Sequence, residues 1–328
     1  MAPLAALLPA GCGGVQSILD ARHPGAAQIE TFWWFALAST GALSAVTIMG
    51  LLHAIRRARR RDTPPPTPAS QVREHAFILA TGVAVPTLFL VGFMAYSIHT
   101  GGVATERSES PDLRVHVTGH QFWWEVTYPD HGVVTANEIH IPADAHVEVE
   151  VTSADVIHSF WVPQIQAGKI DMTPGRTTQS WLFADEAGTY RGQCTEFCGV
   201  QHALMSLTVV AAPEEEFAAW IQERQEPPPE PTDEVELRGR ALFYQEGCAS
   251  CHAVAGVSRP AFAGTPGPDL SDLAGRETLG ALTVPNERET LREWVRDPHQ
   301  FKPGVRMPPN PMDEEALDAL VTYLETLR

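Results

Sequence analysis

Two long apolar runs near the N-terminus restrict this 328-residue chain more than any other feature. Residues 29–55, IETFWWFALASTGALSAVTIMGLLHAI, hold only the charge of Glu30, and residues 76–98, AFILATGVAVPTLFLVGFMAYSI, hold none. Each exceeds the roughly 20 residues that a helix needs to cross a bilayer. The expectation is a two-helix transmembrane hairpin with spans at about 30–54 and 77–98. Trp33 and Trp34 stand at the start of the first run, where interfacial aromatics belong. Between the runs lies RRARRRDTPPPTPASQVR, with six Arg and a Pro cluster. Basic residues in a short loop stay on the cytoplasmic side, so the N-terminus and everything beyond residue 100 face outward.

The first residues, MAPLAALLPAGC, admit two readings. One is a short secretory apolar stretch ending at Cys12 as a lipidated residue. No Lys or Arg precedes it, and Pro9 stands where a larger aliphatic is usual, so a plain leader is the other.

The outward part is acidic. The chain carries 23 basic and 40 acidic residues, net −17. Residues 1–100 hold seven Arg against four acids, which leaves net −20 on the remainder. That balance argues against a nucleic-acid partner. It serves solubility or steers a basic partner. All five cysteines fall in three motifs, Cys12, Cys194 with Cys198, and Cys248 with Cys251, so none remains for a structural disulfide elsewhere.

Residues 113–129 and 137–153 read as strands. In HVEVEVT, Val147, Val149 and Val151 alternate with Glu148, Glu150 and Thr152, marking one buried and one wet face. TTQSWLF and SLTVVAA supply further strands. Short strands divided by Pro and Gly turns suit a β-sandwich. QEPPPEPTDE, residues 225–234, is too rich in Pro and acid to pack and reads as an extended tether.

Between those last two strands stands CTEFCGVQHALM, residues 194–205, with Cys194, Glu196, Cys198, His202 and Met205. Thiolate, imidazole and thioether together select copper over hard, oxygen-loving metals. A single-copper electron-transfer site uses one Cys, two His and a weak Met. The second Cys is surplus to that, which suggests two copper ions bridged by two thiolates. His158, in VIHSFWVP, is the candidate for the second His. A Cys194–Cys198 disulfide or a zinc site are the competing readings. The first leaves His202 and Met205 unexplained, and zinc seldom takes Met.

Beyond the tether, CASCH (248–252) is a C-x-x-C-H haem-attachment motif. Cys248 and Cys251 would form thioethers to the haem vinyls, and His252 would ligate iron. ELRGRALFYQEG before it and EEALDALVTYLETLR at the end have helical periodicity. A Met as sixth ligand raises the potential relative to His. Met307 and Met312, both in KPGVRMPPNPM, are the candidates.

At these residues the chain resembles subunit II of the haem–copper cytochrome c oxidases, fused to a class I cytochrome c as in the caa-type enzymes. H…C-x-E-x-C-x3-H-x2-M is that family's copper A pattern. The resemblance covers residues 15–212 for the subunit and 234–328 for the cytochrome. It implies a multidomain membrane protein: leader or lipoprotein signal (1–28), transmembrane helical hairpin (29–99), cupredoxin-like β-sandwich (100–224), linker (225–234) and all-α cytochrome c domain (235–328). It implies Cys194 and Cys198 as bridging thiolates, His158 and His202 as one imidazole per copper, and Met205 and the Glu196 carbonyl as weak ligands. The Glu196 carboxylate would reach a magnesium ion shared with subunit I. Covalent haem c would take Cys248, Cys251, His252 and Met307, K-P-G-x-x-M-P being the pattern of the fused cytochromes, with GPDLSDLAGR (267–276) along one wall. Gly239, Phe243 and Tyr323 would meet where the terminal helices cross.

GHQFWWEV (119–126) resembles the family's aromatic segment near copper, where a Trp commonly follows G-H-Q. Here Phe122 stands there, so Trp123 or Trp124 would receive electrons, or the tethered haem would dock along another edge, or both Trp are core or interface residues. Asp155 would belong to a docking surface, and Arg176 would hold a propionate or carboxylate at the subunit interface.

The implied role is electron input to a proton-translocating cytochrome-c oxidase of a bacterial inner membrane. Electrons would come from a soluble cytochrome c or another periplasmic donor. The chain would associate with subunit I, subunit III and membrane lipid, and oxygen would be reduced in subunit I. Two alternatives are the electron-input subunit of a nitric oxide reductase and a stand-alone membrane-anchored carrier. A quinol oxidase subunit, which lacks the copper thiolates, is excluded by the intact ligand set.

Overall fold

The computed structural model describes residues 14–59, 68–104, 110–257 and 267–328. Cys12 lies outside them. The two apolar runs form a helical unit of their own, and the other described residues form a second compact unit.

In the helical unit, α1 (Pro24–Ala58) pairs with a second helix built from α2 (Pro68–Leu79), a π-helical turn at Ala80–Ala84, and α3 (Val85–Ala104). Both are long and apolar enough to cross a membrane. The π-turn has a local cause. Pro86 offers no N–H, and its ring presses on the carbonyl one turn back, which the wider turn relieves. The start of α1 packs on the end of α3 through Phe32 against Phe93 and Tyr96, with centroids 5.0 and 5.3 Å apart, so the helices run antiparallel.

The second unit opens with residues tied to a sandwich. Arg22 N and His23 N donate to the Gln164 carbonyl, Arg22 pairs with Glu186, and Gln164 Nε2 donates to Asp20.

The sandwich has two five-stranded sheets. One is ordered β3 (Val133–Ala136), β2 (Trp123–Tyr128), β1 (Leu113–His120), β5 (Val147–Ser153), β8 (Thr178–Leu182). The other is ordered β4 (Glu138–Pro142), β10 (Ser206–Ala212), β9 (Gly188–Cys194), β6 (His158–Trp161), β7 (Ile170–Met172). The valine alternation places β5 as expected: Val147, Val149 and Val151 are fully buried, and β1 lies parallel with Val115 beside Val149 and Val117 beside Val151. Asn137, at φ 65°, turns the chain from one sheet to the other, and its Oδ1 accepts from Trp124 N at 3.0 Å. That left-handed conformation is one Asn tolerates better than most residues.

A helix not foreseen from the sequence, α4 (Glu214–Gln225), closes the sandwich edge. Its acidic sequence hides a short apolar stripe. Phe217 and Ile221, four apart, are buried, and Trp220 stacks on His140 at 4.1 Å.

After an extended stretch comes α5 (Glu234–Gln245), started by a capping box between Asp233 and Glu236. It crosses α7 (Glu314–Leu324), while α6 (Arg288–Arg296) packs beside α7. The crossing is close because Gly239 lacks a side chain. A Cβ there would lie 2.1 Å from Ala319 O and 2.6 Å from Tyr323 Cβ. Phe243 and Tyr323 meet edge-on one turn along, centroids 5.9 Å apart. A two-residue ladder, β11 (Thr278–Leu279) with β12 (Val284–Pro285), interrupts the expected all-α character.

Gly239→Ala should destabilise the helical crossing by about 1–3 kcal/mol, seen as a lower thermal midpoint. Gly188→Ala, whose Cβ would meet nothing nearer than 3.8 Å, should stay within ~0.5 kcal/mol of the parent. Equal midpoints for the two would contradict the crossing.

Candidate metal centre

His158 opens β6, and Cys194 closes β9. These strands pair with Phe160 opposite Cys194, so the His ring and the thiol project from one sheet edge. The loop between β9 and β10 supplies the rest: Cys198, then His202 in a 3₁₀ turn, then Met205. It is closed at its base by Cys194 N donating to Met205 O at 2.9 Å. Gly119 on β1 makes the room, since a Cβ there would sit 2.9 Å from the His158 ring and 3.3 Å from Met172 Cε.

All six donor groups expected from the sequence come together. Cys194 Sγ lies 3.8 Å from Cys198 Sγ, 3.9 Å from His158 Nδ1 and 3.1 Å from the Glu196 carbonyl. Cys198 Sγ lies 3.8 Å from both His202 Nδ1 and Met205 Sδ. His158 and Met205 are wholly buried, and both thiols nearly so. The donor atoms of His158, Cys194 and Cys198 fit within 4.8 Å of one another.

Both thiols are free, at a separation far beyond the ~2.05 Å of a disulfide bond. A structural zinc takes four N or S donors in a tetrahedron, and this cup adds a thioether and a carbonyl oxygen. The donor chemistry fits copper, and two thiols fit a bridged pair.

Electrostatics prepare the cup for a cation. Cys194 is held down to about 3, chiefly by a hydrogen bond from Cys198, whose own thiol is pushed up in turn. Asp155 Oδ1 accepts from His158 Nε2 at 2.9 Å, which leaves Nδ1 facing the sulfur. Burial alone would lower His158, but the bonds to Asp155 and Cys194 raise it. Burial would likewise raise Asp155. The His158 bond and the N–H groups of Gln121 and Val156, each at 2.7 Å, carry it down to about 2. Such an outer partner fixes both the ring and its tautomer.

Glu196 turns its side chain outward, half exposed, with Lys169 Nζ at 3.7 Å. Trp124 is wholly buried, its ring 6.2 Å from that of His158 and edge-on to Phe160 at 6.0 Å. Trp123 stacks on His120 at 4.2 Å and is also buried. Both indoles are thus buried beside the site rather than exposed. Arg176 is exposed beyond β7.

In the helical part, Cys248 and Cys251 flank a 3₁₀ turn and are half-buried and unpaired. His252 Nδ1 donates to the Pro268 carbonyl at 2.8 Å, which fixes the orientation and tautomer of the ring. That carbonyl belongs to the 267–276 segment expected beside a haem. Met312 packs against the apolar core of this part, whereas Met307 does not, which suits Met307 as the free thioether.

Sequence reasoning passed over two residues next to Met307. Lys302 is buried, and its Nζ donates to Phe122 O, Leu204 O and Gly280 O at 2.9, 2.8 and 2.7 Å. Arg306 Nη2 donates to Gln121 Oε1 and lies 3.6 Å from Asp155. Both lie in the quoted K-P-G-V-R-M-P, but their partners are 22 to 185 positions away and leave no local sequence signal.

Comparison with known proteins gives two family matches. Residues 132–212 match the cytochrome c oxidase subunit II periplasmic domain, and residues 237–328 match cytochrome c. The chain is 32% identical over 326 residues to cytochrome c oxidase subunit 2 of Alkalihalophilus pseudofirmus, covering 97% of this chain and 93% of that one. It is 35% identical to the subunit 2 of Bacillus sp. (strain PS3), covering 76% and 71%. Among solved structures, the periplasmic domain of subunit II of cytochrome oxidase of Bradyrhizobium japonicum matches at 33% identity and TM-score 0.34, covering 35% of this chain and 95% of that one.

Asp155→Asn should weaken copper retention about 10- to 100-fold while both thiols stay titratable. Competition with a copper chelator measures it, and unchanged retention would remove Asp155 from the site.

Proposed function

We propose, from the premise that this chain belongs to the cytochrome c oxidase subunit II family, that it feeds electrons into a haem–copper oxidase through a dinuclear copper A centre and an attached haem c. Electrons from a soluble cytochrome c or another donor outside the membrane would pass by haem c, then copper A, to subunit I. Oxygen reduction and proton pumping would occur there, with subunit III completing the complex.

One observation carries the reading: two free, buried thiols face each other at 3.8 Å with two imidazoles, a thioether and a carbonyl around them. Bound there, a copper pair supplies reversible one-electron chemistry, as does a haem held by Cys248, Cys251, His252 and Met307. The chain's own groups prepare for it. Asp155 orients His158, and the Pro268 carbonyl orients His252. The loop keeps water from the sulfurs, which limits reorganisation of the surroundings when charge arrives. The half-exposed Glu196 carboxylate is free to reach magnesium at a subunit I interface once it leaves Lys169. The two apolar helices supply the membrane anchor.

In the purified complex, Cys198→Ser should abolish the copper pair, leave covalent haem unchanged, and bring oxygen consumption with reduced donor to background. Full oxygen consumption without the thiol would refute the proposal. Truncation after residue 226 should keep the copper centre and slow turnover with small reductants. Unchanged turnover would count against the order haem first, copper second.

A further inference from the structure

The loop ahead of Met307 reaches out of the helical part and into the copper sandwich. Its anchor is Lys302, only 1% exposed. A lysine ammonium has three N–H donors, and each finds one main-chain carbonyl. Phe122 O belongs to the β1–β2 turn, Leu204 O to the loop between His202 and Met205, and Gly280 O to the β11–β12 turn. One side chain thereby ties the copper-ligand loop, the aromatic segment and the haem-bearing part together.

Further contacts extend the seam on both sides. Gln201, next to His202, donates to the Pro303 carbonyl. Arg306, next to Met307, donates to Gln121 Oε1, and Gln121 Nε2 donates in turn to the Cys198 carbonyl at 2.6 Å. Arg306 also lies 3.6 Å from Asp155 Oδ2, whose other oxygen holds His158. Farther along, Thr135 Oγ1 donates to Asp272 at 2.6 Å, and Glu277 N donates to Glu138 at 2.9 Å.

We propose that Lys302–Met307 is an intramolecular docking clamp: Lys302 locks the cytochrome part onto the copper-ligand loop, and Arg306 joins the haem-ligand loop to the groups that orient His158 and Cys198. The clamp makes one bound orientation of the tethered part the resting state, rather than one of many. Its service to electron transfer rests on the function proposed above, whereas the docking itself does not. Lys302 and Arg306 are positioning residues.

The test uses the full-length chain in lipid nanodiscs, with Lys302→Met and Arg306→Met. Methionine keeps the length of the lysine stem and removes its donors. Lys302→Met leaves three buried carbonyls unpaired, so amide hydrogen exchange should rise at least about tenfold at residues 122–124, 204–207 and 279–282 together. Protease cleavage within 226–232 should quicken in parallel. Exchange in all three segments within about twofold of the parent would overturn the clamp.

Arg306 is exposed at its tip, so its variant should fold even if Lys302→Met does not. It should loosen exchange at residues 121 and 122. In metal-loaded protein it should also slow the one-electron equilibration between reduced haem and oxidised copper after a reducing flash, with copper and haem content unchanged. Parental exchange and parental equilibration in Arg306→Met would overturn the joining role. The exchange measurement reads the clamp with or without metal. Loss of copper binding in the parent would therefore sink the functional reading and leave the docking result standing.

Discussion

Two cysteine sulfurs held 3.8 Å apart without bonding to one another are the constraint to which the outer part of this protein answers. Left alone, such a pair in an oxidising compartment would close into a disulfide. The fold takes one sulfur from the end of a strand and the other from a loop pinned to that same strand. The His158 ring fills the space on one side, and Met205 fills the other. Gly119 exists to admit that ring, and Asp155 exists in position to orient it. The sandwich beneath is a stiff valine core, which suits a site whose ligands must not shift as charge comes and goes.

Hydrogen bonds tie the cytochrome part to this centre. Placing an ammonium out of water costs several kcal/mol, and burial pushes Lys302 down to about 7. Three carbonyls offset much of that cost and demand one geometry. An apolar seam would hold as firmly over a range of rotations, but a three-point hydrogen-bonded anchor does not. The short Pro-rich connection adds to this by keeping the two parts at high effective concentration, so a modest seam suffices.

Local chemistry was legible in the sequence, and distant partnerships were not. The spacing of Cys194, Cys198, His202 and Met205 announced a soft metal cup, and CASCH announced a haem site, because ligands supplied by one loop share a short stretch of chain. His158 was recoverable only as the second imidazole that the cup lacked and through the resemblance, since His116, His120 and His140 stand on strands as well. The valines of β5 and the crossing at Gly239 followed from periodicity and from resemblance. By contrast, α4 hid behind its glutamates, since only three apolar side chains mark its inner face. Lys302 carried no local mark of its role, because burial of a charge depends on carbonyls 22 to 180 residues away. Trp123 and Trp124 stood open between electron entry and a place in the core or at an interface. The fold buries both and leaves only Trp124 near a copper ligand.

Electron spin resonance of the purified full-length chain, read together with its copper content, tests the account most directly. The sulfur pair predicts one unpaired electron shared by two equivalent copper nuclei, with two coppers for each covalent haem. Hyperfine structure from a single copper nucleus, or a chain whose Cys194 and Cys198 are joined and metal-free as isolated, would contradict it.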